Sequence, residues 1–554
     1  MPLDADVRNH TTTIPTAPLL SVRDLEVTFG DADQPVLHKV SFDVRPGERV
    51  AIVGQSGSGK STIIGAILRL LPGSGRISGG SIMLGDDDLA TAGEKHMRSV
   101  RGSRIGLVPQ DPASNLNPSM KVGAQIADGL VAHGMTGKAA ITQRVVELMT
   151  EAGIPDAARR STQFPHEFSG GMRQRVLIAI AMSREPELLI ADEPTSALDV
   201  TVQRQILNHL QTLVVSHGTS LLFITHDLGV AADRTDRIIV MLDGDIVETG
   251  TPAEILLNPQ HEYTRRLVAA APTATTVAAR PTAAELGVAD KILNEPILVV
   301  ENLVKEFTLR GQRGSILRAV DDVSFSVPRG TTTAIVGESG SGKTTVARIV
   351  LGLESVTSGH ASIDGQTITA SRGAERAALR RKVQPVFQDP YGSLDPTYSI
   401  ERLVDEPLRI FGVGDRASRR TRVGELLDQV ALPRSIAQRR PNELSGGQRQ
   451  RVAIARALAL DPELLICDEA VSALDVLVQD QILELLDSLQ KRLGISYLFI
   501  THDLAVVRQI ANSVIVMKQG KIVENGSVDD VFARPAAEYT RDLLGAIPGG
   551  AFAR

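Results

Sequence analysis

The feature that most constrains the fold of this chain is an internal repeat that divides its 554 residues into two similar halves. A Ser-Gly-Gly segment begins at Ser169 and again at Ser445, which is an offset of 276 residues. The offset is 283 at the Gly-Lys pairs that end at Lys60 and Lys343, so the loops of the two halves differ slightly in length. Two copies of one domain are therefore expected.

The repeat and the local composition predict five segments along the chain. The two copies are assigned to residues 18–272 and 296–548. Residues 273–295 are small, polar and interrupted by proline, which is typical of a flexible linker. We expect residues 1–17 to be a disordered N-terminus, without the basic start and apolar run of a secretory signal, and residues 549–554 to form a C-terminal tail.

Composition restricts the classes of function. Lys plus Arg number 59 against 65 Asp plus Glu, a net charge of -6, so we expect no nucleic-acid partner. The single cysteine, Cys467, leaves no cysteine ligand set for an iron–sulfur cluster or a thiolate zinc site. No stretch approaches 18 uninterrupted apolar residues, so no segment is expected to span a membrane.

Each copy contains a glycine-rich loop between an apolar run and a helical segment, which matches the phosphate-binding pattern GxxxxGK[ST]. In this pattern backbone N–H groups point at phosphate oxygens, the lysine neutralises the β- and γ-phosphates, and the hydroxyl after it binds Mg²⁺. The predicted nucleotide-binding residues are Gly54, Ser56, Gly57, Ser58, Gly59, Lys60, Ser61 and Thr62, and in the second copy Gly337, Ser339, Gly340, Ser341, Gly342, Lys343, Thr344 and Thr345.

Later in each copy an apolar strand ends in two carboxylates, Asp192-Glu193 and Asp468-Glu469. The aspartate of such a pair holds the Mg²⁺ shell, and the glutamate polarises the attacking water as a general base. The alternation of strands and helices around these motifs predicts an α/β fold, with a mainly parallel sheet core and a helical middle section in each copy.

Three further motifs recur in both halves: Ser-Gly-Gly followed by a helix at 169–175 and 445–451, Ser-Ala-Leu-Asp at 196–199 and 472–475, and Thr-His-Asp at 225–227 and 501–503. Together with the phosphate loops, they make the chain resemble two tandem P-loop ABC ATPase domains. The Ser-Gly-Gly segments match the signature motif of that family, and the resemblance covers nearly all of the chain.

The resemblance implies that two ATP molecules lie between the halves, each between one phosphate loop and the other half's signature helix. One composite site would then combine Lys60, Ser61, Gln110, Asp192, Glu193 and His226 with Ser445, Gly446 and Gly447. The other would combine Lys343, Thr344, Gln388, Asp468, Glu469 and His502 with Ser169, Gly170 and Gly171.

The same resemblance implies further roles within each site. It makes His226 and His502 catalytic together with the two glutamates, and it places adenine on the rings of Phe29 and Phe307. The implied Mg²⁺ ligands are Ser61, Gln110 and Asp192 in one half and Thr344, Gln388 and Asp468 in the other. The chain departs from the family pattern at Met172, which replaces a glutamine, and at Ala470, which replaces a proline. We expect both sites to hydrolyse ATP.

The segments after the two glutamines, beginning Asp111-Pro and Asp389-Pro, and the segments 258–264 and 534–540 resemble the dipeptide/oligopeptide/nickel importer group in its fused form. This resemblance implies an ATPase subunit of a bacterial importer of short peptides, at the cytoplasmic face of the inner membrane as a peripheral protein. Its partners would be two integral membrane permeases and an extracytoplasmic solute-binding protein.

The sequence is also compatible with other solutes and with one other class of protein. Glutathione, a peptide-like antibiotic or nickel would leave the sequence nearly unchanged. A twin-ATPase translation factor carries the same motifs and acts on ribosomes. Such factors usually have a long, charged, helical linker, whereas residues 273–295 are short and proline-broken. The sequence therefore favours transport.

Overall fold

The computed structural model describes residues 17–30, 34–195, 198–270, 296–308, 316–368, 371, 373–472 and 474–549. The predicted linker and, except for residue 17, the predicted disordered N-terminus lie outside these residues, as do residues 550–554 of the predicted tail. The described residues form two compact units. One contains the residues up to Leu198 with Val202–Val268, and the other contains Asp199–Thr201 with the residues from Ala269 onward.

The first half contains ten described strands and eleven described α-helices. Its strands are β1 Leu20–Phe29, β2 Leu37–Val44, β3 Arg49–Val53, β4 Gly75–Leu84, β5 Asp87–Asp88, β6 Ile105–Val108, β7 Leu188–Asp192, β8 Ser220–Thr225, β9 Arg237–Leu242 and β10 Asp245–Gly250. Its helices are α1 Lys60–Ile67, α2 Glu94–Val100, α3 Pro112–Asn115, α4 Val122–Ala132, α5 Lys138–Glu151, α6 Ala157–Arg160, α7 Gly170–Ala181, α8 Val200–His217, α9 Leu228–Arg234, α10 Pro252–Leu257 and α11 Glu262–Ala270.

The second half repeats this order, except that a short 3₁₀ helix, Arg434–Gln438, takes the place of α6. Its strands are β11 Pro296–Thr308, β12 Ile316–Pro328, β13 Thr332–Val336, β14 Ser358–Ile363, β15 Gln366–Thr367, β16 Val383–Val386, β17 Leu464–Asp468, β18 Ser496–Ile500, β19 Ser513–Lys518 and β20 Lys521–Ser527. Its helices are α12 Lys343–Val350, α13 Gly373–Lys382, α14 Pro390–Ser393, α15 Ile400–Ile410, α16 Arg416–Gln429, α17 Gly446–Leu458, α18 Val476–Leu493, α19 Leu504–Ile510, α20 Val528–Ala533 and α21 Glu538–Leu544.

The core of each half is a six-stranded sheet that is parallel except at one edge. The strand order is β10-β9-β3-β8-β7-β6 in the first half and β16-β17-β18-β13-β19-β20 in the second. Only the pairs β9·β10 and β19·β20 are antiparallel among the described strands of these sheets. This confirms the predicted fold class. Residues Leu188–Ala191 of β7 are all fully buried, as expected for a parallel strand covered on both faces.

Each half also has a second, four-stranded antiparallel sheet, with the orders β2-β1-β4-β5 and β12-β11-β14-β15. This sheet was not predicted from the sequence as a separate layer. Strand β1 places alternate side chains inward, with Leu20, Val22, Leu25 and Val27 buried. Register shifts occur within β1 near Leu25, so its alternation is interrupted and the pattern alone does not show its partners.

The predicted helical middle section is confirmed in both halves. Helices α4 to α7 in the first half pack around a separate apolar cluster that includes Ile126, Leu148 and Val176. None of the helices in the described part of the chain is both long and apolar enough to cross a lipid bilayer.

Candidate nucleotide and catalytic sites

The phosphate loops lie between a central strand and the helix that follows it, β3 and α1 in the first half and β13 and α12 in the second. Gly54 and Gly59 have φ angles of 158° and 100°. A side chain at Gly54 would meet the backbone oxygen of Met241, and one at Gly59 would lie 2.5 Å from a methyl carbon of Leu37. The loop therefore requires glycine at both positions.

The loop lysines point back into their own loops. The Nζ of Lys60 donates to the backbone oxygens of Gly54 and Gln55 at 2.7 and 2.8 Å. Lys343 makes the equivalent bonds to Gly337 and Glu338 at 2.7 and 2.8 Å. Burial lowers the pKa of Lys343. Each lysine is thus held beside the loop amides, where it can meet the phosphates of a nucleotide.

The remaining loop residues differ in exposure. Ser58 and Ser341 are buried, whereas Ser56, Gly57, Ser339 and Gly340 are exposed. Ser61 and Thr344 are exposed at the first helical turn, and Thr62 and Thr345 are half-buried. The Thr344 hydroxyl donates to Asp468 Oδ1 at 3.4 Å, so two of the predicted Mg²⁺ ligands of the second half are neighbours.

The register of the central sheet brings the acidic pairs to the phosphate loops. In the first half Asp192 at the end of β7 pairs with Ile224 of β8, and Val53 at the end of β3 pairs with Thr225 of β8. The carboxyl ends of these three strands are therefore adjacent. The carboxyl ends of parallel strands are the usual place for a ligand in α/β folds.

In each half one glutamate is the centre of a three-residue cluster. Glu193 Oε2 accepts a hydrogen bond from Gln110 Nε2 at 3.0 Å and lies 3.1 Å from His226 Nδ1. In the second half Gln388 Nε2 donates to Glu469 Oε2 at 2.7 Å, and His502 Nδ1 lies 3.4 Å from Glu469 Oε1. The structure therefore unites three residue types that lie far apart in the sequence.

Both glutamates have a left-handed backbone, with φ angles of 42° at Glu193 and 49° at Glu469. Their N–H groups donate to the backbone oxygens of Ile224 and Ile500, each at 2.9 Å. This conformation is unfavourable for a residue with a side chain and is often found at functional sites. It ends the strand and turns the carboxylate toward the glutamine and the histidine.

The charges of the site shift the pKa values of its carboxyl groups in opposite directions. Burial and the nearby charge of Glu193 raise the pKa of Asp192 to about 6. Burial and Glu469 raise the pKa of Asp468 in the same way. Burial also acts to raise the pKa of Glu193, but the hydrogen bond and charge of His226 outweigh it and lower that pKa. The glutamate is thus ionised at neutral pH.

The two histidines are shifted in the complementary direction. Burial acts to lower the pKa of His226, but its hydrogen bond and charge interaction with Glu193 outweigh burial and raise that pKa. The pKa of His502 is raised for the same reason beside Glu469. Each Glu–His pair therefore favours a carboxylate beside a protonated imidazole.

The raised pKa of Asp192 predicts that this residue destabilises the protein when nucleotide and metal are absent. The folded state holds its proton more tightly than the unfolded chain, so the ionised carboxylate opposes folding above about pH 6. In EDTA at pH 7, Asp192→Asn should raise the Tm of the first half by about 2–4 °C, the shift that 1 kcal/mol produces in a domain of this size. This gain should shrink as the pH falls below 6, because the wild-type aspartate becomes protonated.

Asp236→Asn is the matched control for this measurement. Burial acts to raise the pKa of Asp236, but hydrogen bonds from Arg49 outweigh burial and lower that pKa. The ionised form of Asp236 therefore supports folding. Its replacement by asparagine should lower the Tm at pH 7. Calorimetry between pH 5 and 8 compares the Tm of both variants with that of the wild type. A Tm of Asp192→Asn at or below that of the wild type at pH 7 would contradict the charge assignment.

The signature residues begin a helix in each half. Ser169 precedes α7 and its hydroxyl accepts from the Met172 N–H at 3.4 Å. In the second half Ser445 accepts from the Gln448 N–H at 3.3 Å, and Gln448 Oε1 in turn accepts from the Ser445 N–H at 3.1 Å. The change to Met172 therefore removes a reciprocal capping bond from the first signature. Gly170, Gly171, Gly446 and Gly447 form the first turns of these helices.

The two predicted adenine-binding aromatics have different surroundings within their own halves. Phe29 is half-buried against the core of the first half, and its ring fills the space beside Gly75. Phe307 has the ammonium of Lys305 4.8 Å from its ring centroid. Stacking of adenine on either ring stays a prediction.

Two residues that contact the phosphate loops were not predicted from the sequence. The Gln55 N–H donates to the hydroxyl of Tyr263 at 2.9 Å, and the Glu338 N–H donates to Tyr539 at 3.0 Å. The only signal in the sequence is the repetition of Glu-Tyr-Thr 276 residues apart, at Tyr263 and Tyr539. That repetition shows equivalence between the halves but not which loop the tyrosines contact.

This fold and these sites define a twin P-loop ATPase, with a phosphate loop, a Gln–Glu–His cluster and a signature helix in each half. The sequence model described as ABC transporter matches residues 37–196 and 320–472, and the one described as oligopeptide/dipeptide transporter, C-terminal region, matches residues 247–296. The chain belongs to the ABC transporter family. It is an ATP-binding ATPase, and its relatives, named as transport and import ATP-binding proteins, imply membrane permease partners.

Two curated relatives match over almost their full length. The peptidoglycan transport ATP-binding protein YejF of Agrobacterium fabrum is 44% identical over 96% of this chain and 96% of its own. The glutathione import ATP-binding protein GsiA of Pectobacterium atrosepticum is 42% identical over 97% of this chain and 90% of its own. Among solved structures, a dimeric ATP-binding cassette bound to ADP and Pi is 33% identical, with a TM-score of 0.38 over 42% of this chain and 98% of that chain.

Proposed function

We propose that this chain couples ATP hydrolysis at two composite sites to the uptake of short peptides through two separate integral membrane permeases. An extracytoplasmic binding protein delivers the peptide, and the ATPase lies at the cytoplasmic face of the inner membrane. The observation that carries the proposal of two hydrolytic sites is the occurrence of a Gln–Glu–His cluster and a phosphate-loop lysine in both halves. The relatives named for import and the matched oligopeptide/dipeptide region support the solute class.

The chemistry of each site follows from its charges. The ionised Glu193 and Glu469 accept the proton of the attacking water, and the histidines beside them hold the carboxylates in place. Lys60 and Lys343 neutralise the charge on the transferred phosphoryl group, so most of the catalysis is positioning and charge stabilisation. The signature helix of the opposite half would complete each site through its N–H groups and its dipole.

The oxygen ligands of each site suit Mg²⁺, a hard cation that binds carboxylate, hydroxyl and amide oxygens. The raised pKa values of Asp192 and Asp468 show that burial disfavours their ionised forms, and a cation beside them would stabilise those forms. Thr344 already lies within hydrogen-bond distance of Asp468. Bound Mg²⁺ would neutralise charge on the β- and γ-phosphates. The residues that would hold it are Ser61, Gln110 and Asp192, and Thr344, Gln388 and Asp468.

A groove beside Gln388 supports the contact with a permease. It has a volume of about 190 Å³ and is lined by residues that include Phe387, Pro407 and Ile410. Phe387 is 41% exposed and Ile410 is 73% exposed. Because Phe387 is adjacent to Gln388, a permease helix in this groove would be coupled to the glutamine that contacts Glu469. Movement at the ATP site would then change the access of the permease.

The test is mass spectrometry of the proteins that purify with the Glu193→Gln/Glu469→Gln variant from gently solubilised membranes, with ATP and without it. We expect two integral permeases and one binding protein, and retention that depends on ATP. Ribosomal proteins without permeases would overturn the transport proposal and leave the ATPase intact. Analysis of the ligand on the captured binding protein then distinguishes glutathione, the solute of the GsiA relatives, from longer peptides.

A further inference from the structure

The hydrogen bonds from the phosphate loops to Tyr263 and Tyr539 occur in both halves and involve the same loop position. In each half the second loop residue donates its N–H to the tyrosine hydroxyl, at 2.9 Å from Gln55 and 3.0 Å from Glu338. The tyrosines are 5% and 8% exposed. The contact is made at the same loop position in both halves although that position holds Gln55 in one and Glu338 in the other, which indicates a role shared by both sites.

The tyrosines belong to helices that are fixed to the edge strand of the sheet. In the first half the carboxylate of Glu248, on β10, accepts from the N–H groups of Gln260 and His261 at 2.8 and 3.0 Å, just before α11. In the second half Glu524, on β20, accepts from Ala536 and Ala537 at 2.8 and 3.0 Å, just before α21. Charge-assisted hydrogen bonds therefore fix the start of each tyrosine-bearing helix to the edge strand.

The same loop residue is also held on its other side by the loop lysine. Gln55 donates its N–H to Tyr263 and accepts from Lys60 through its carbonyl oxygen. A nucleotide attracts the lysine toward its phosphates and competes for that second bond. The bond to the tyrosine involves no phosphate ligand, so it can persist while the lysine moves.

We propose that Tyr263 and Tyr539 are positioning residues that hold the phosphate loops in the conformation that binds ATP. The C-terminal segment of each half thereby acts on the nucleotide site of its own half. This inference deepens the proposed function and rests on its assignment of the phosphate loops. It needs no assumption about the transported solute.

Removing the hydroxyl leaves a loop N–H without the acceptor it has in the structure. The loop amides bind phosphate in the ground state and in the transition state alike. A less well positioned loop should therefore weaken ATP binding, which raises KM and leaves kcat nearly unchanged. We expect Tyr263→Phe and Tyr539→Phe together to raise the KM for ATP about three- to tenfold, the effect of one hydrogen bond. The kcat should stay within about twofold, the ordinary scatter for a residue that makes no contact specific to the transition state.

The matched control is Tyr497→Phe. The Tyr497 hydroxyl donates to the Leu486 backbone oxygen at 2.8 Å and the residue is fully buried, so this variant also loses one buried tyrosine hydrogen bond. It should lower Tm and leave the KM for ATP unchanged. Steady-state kinetics, equilibrium binding of ATP with EDTA present and thermal unfolding are measured for all variants of the full chain.

An unchanged KM and an unchanged ATP affinity in the folded double variant would overturn the inference. So would an equal loss of affinity in Tyr497→Phe, because the effect would then be one of general stability. Neither readout depends on transport. A loss of ATP affinity in the tyrosine variants without peptide uptake by the wild type would keep this inference and defeat the proposed solute.

Discussion

Glu469→Gln is expected to lower ATP turnover by about 10²–10⁴-fold at its site, the range for loss of a positioned general base. The glutamine keeps the size of the side chain and a hydrogen-bonding oxygen, but it accepts no proton from water. Binding should be retained, because Glu469 contacts Gln388 and His502 and lies apart from the phosphate-loop bonds made by Lys343. The variant should therefore hold ATP for much longer than the wild type.

The structure predicts the same result for Glu193→Gln, because Glu193 has the equivalent contacts to Gln110 and His226. Single-turnover measurements of both variants compare the two halves. Glu463→Gln is the matched control, because Glu463 lies just before β17 and Glu469 just after it, and Glu463 pairs with Arg329 at 2.8 Å and with Lys382 at 3.3 Å. Turnover at the wild-type rate in Glu469→Gln would defeat the catalytic assignment, whereas turnover at that rate is expected in Glu463→Gln.

The parts of the site that consist of neighbouring residues could be predicted from the sequence. The phosphate loops, residues 54–61 and 337–344, have their glycines, lysine and hydroxyl within eight residues, and the flanking strand and helix could be inferred from adjacent residues. The acidic pairs were equally visible, because each follows an apolar run. The parallel topology then places these segments at one edge of the sheet.

Contacts between distant segments could not be predicted in this way. The bond between Gln55 and Tyr263 joins residues 208 positions apart, and its formation depends on how α11 packs at the sheet edge. The left-handed backbone of Glu193 also gives no signal, because glutamate is not a residue that favours it. The four-stranded sheets were missed because strand partners depend on register, which the interrupted alternation of β1 does not reveal.

The second large effect is expected for Lys343→Ala, which should weaken ATP binding at the second phosphate loop on the order of 10- to 100-fold, the value of hydrogen bonds to a charged group. In the wild type burial lowers the pKa of Lys343, and the negative charge of the phosphates would offset that effect. The alanine variant loses the charge and also the donor to the carbonyl oxygens of Gly337 and Glu338. The loop is then less ordered before the nucleotide arrives.

Lys60→Ala should produce the same loss of ATP affinity at the first phosphate loop. A titration of each variant with ATP therefore distinguishes the binding sites of the two halves. We expect each single variant to keep one tight site for ATP and the double variant to keep none. Lys382→Ala is the control, because Lys382 lies away from the phosphate loop and pairs with Glu463 at a distance of 3.3 Å. The affinity of this variant for ATP should equal that of the wild type. Unchanged affinity at the altered loop would reject the assignment of that loop. Loss of both tight sites in a single variant would instead mean that ATP binding at one phosphate loop depends on the lysine of the other.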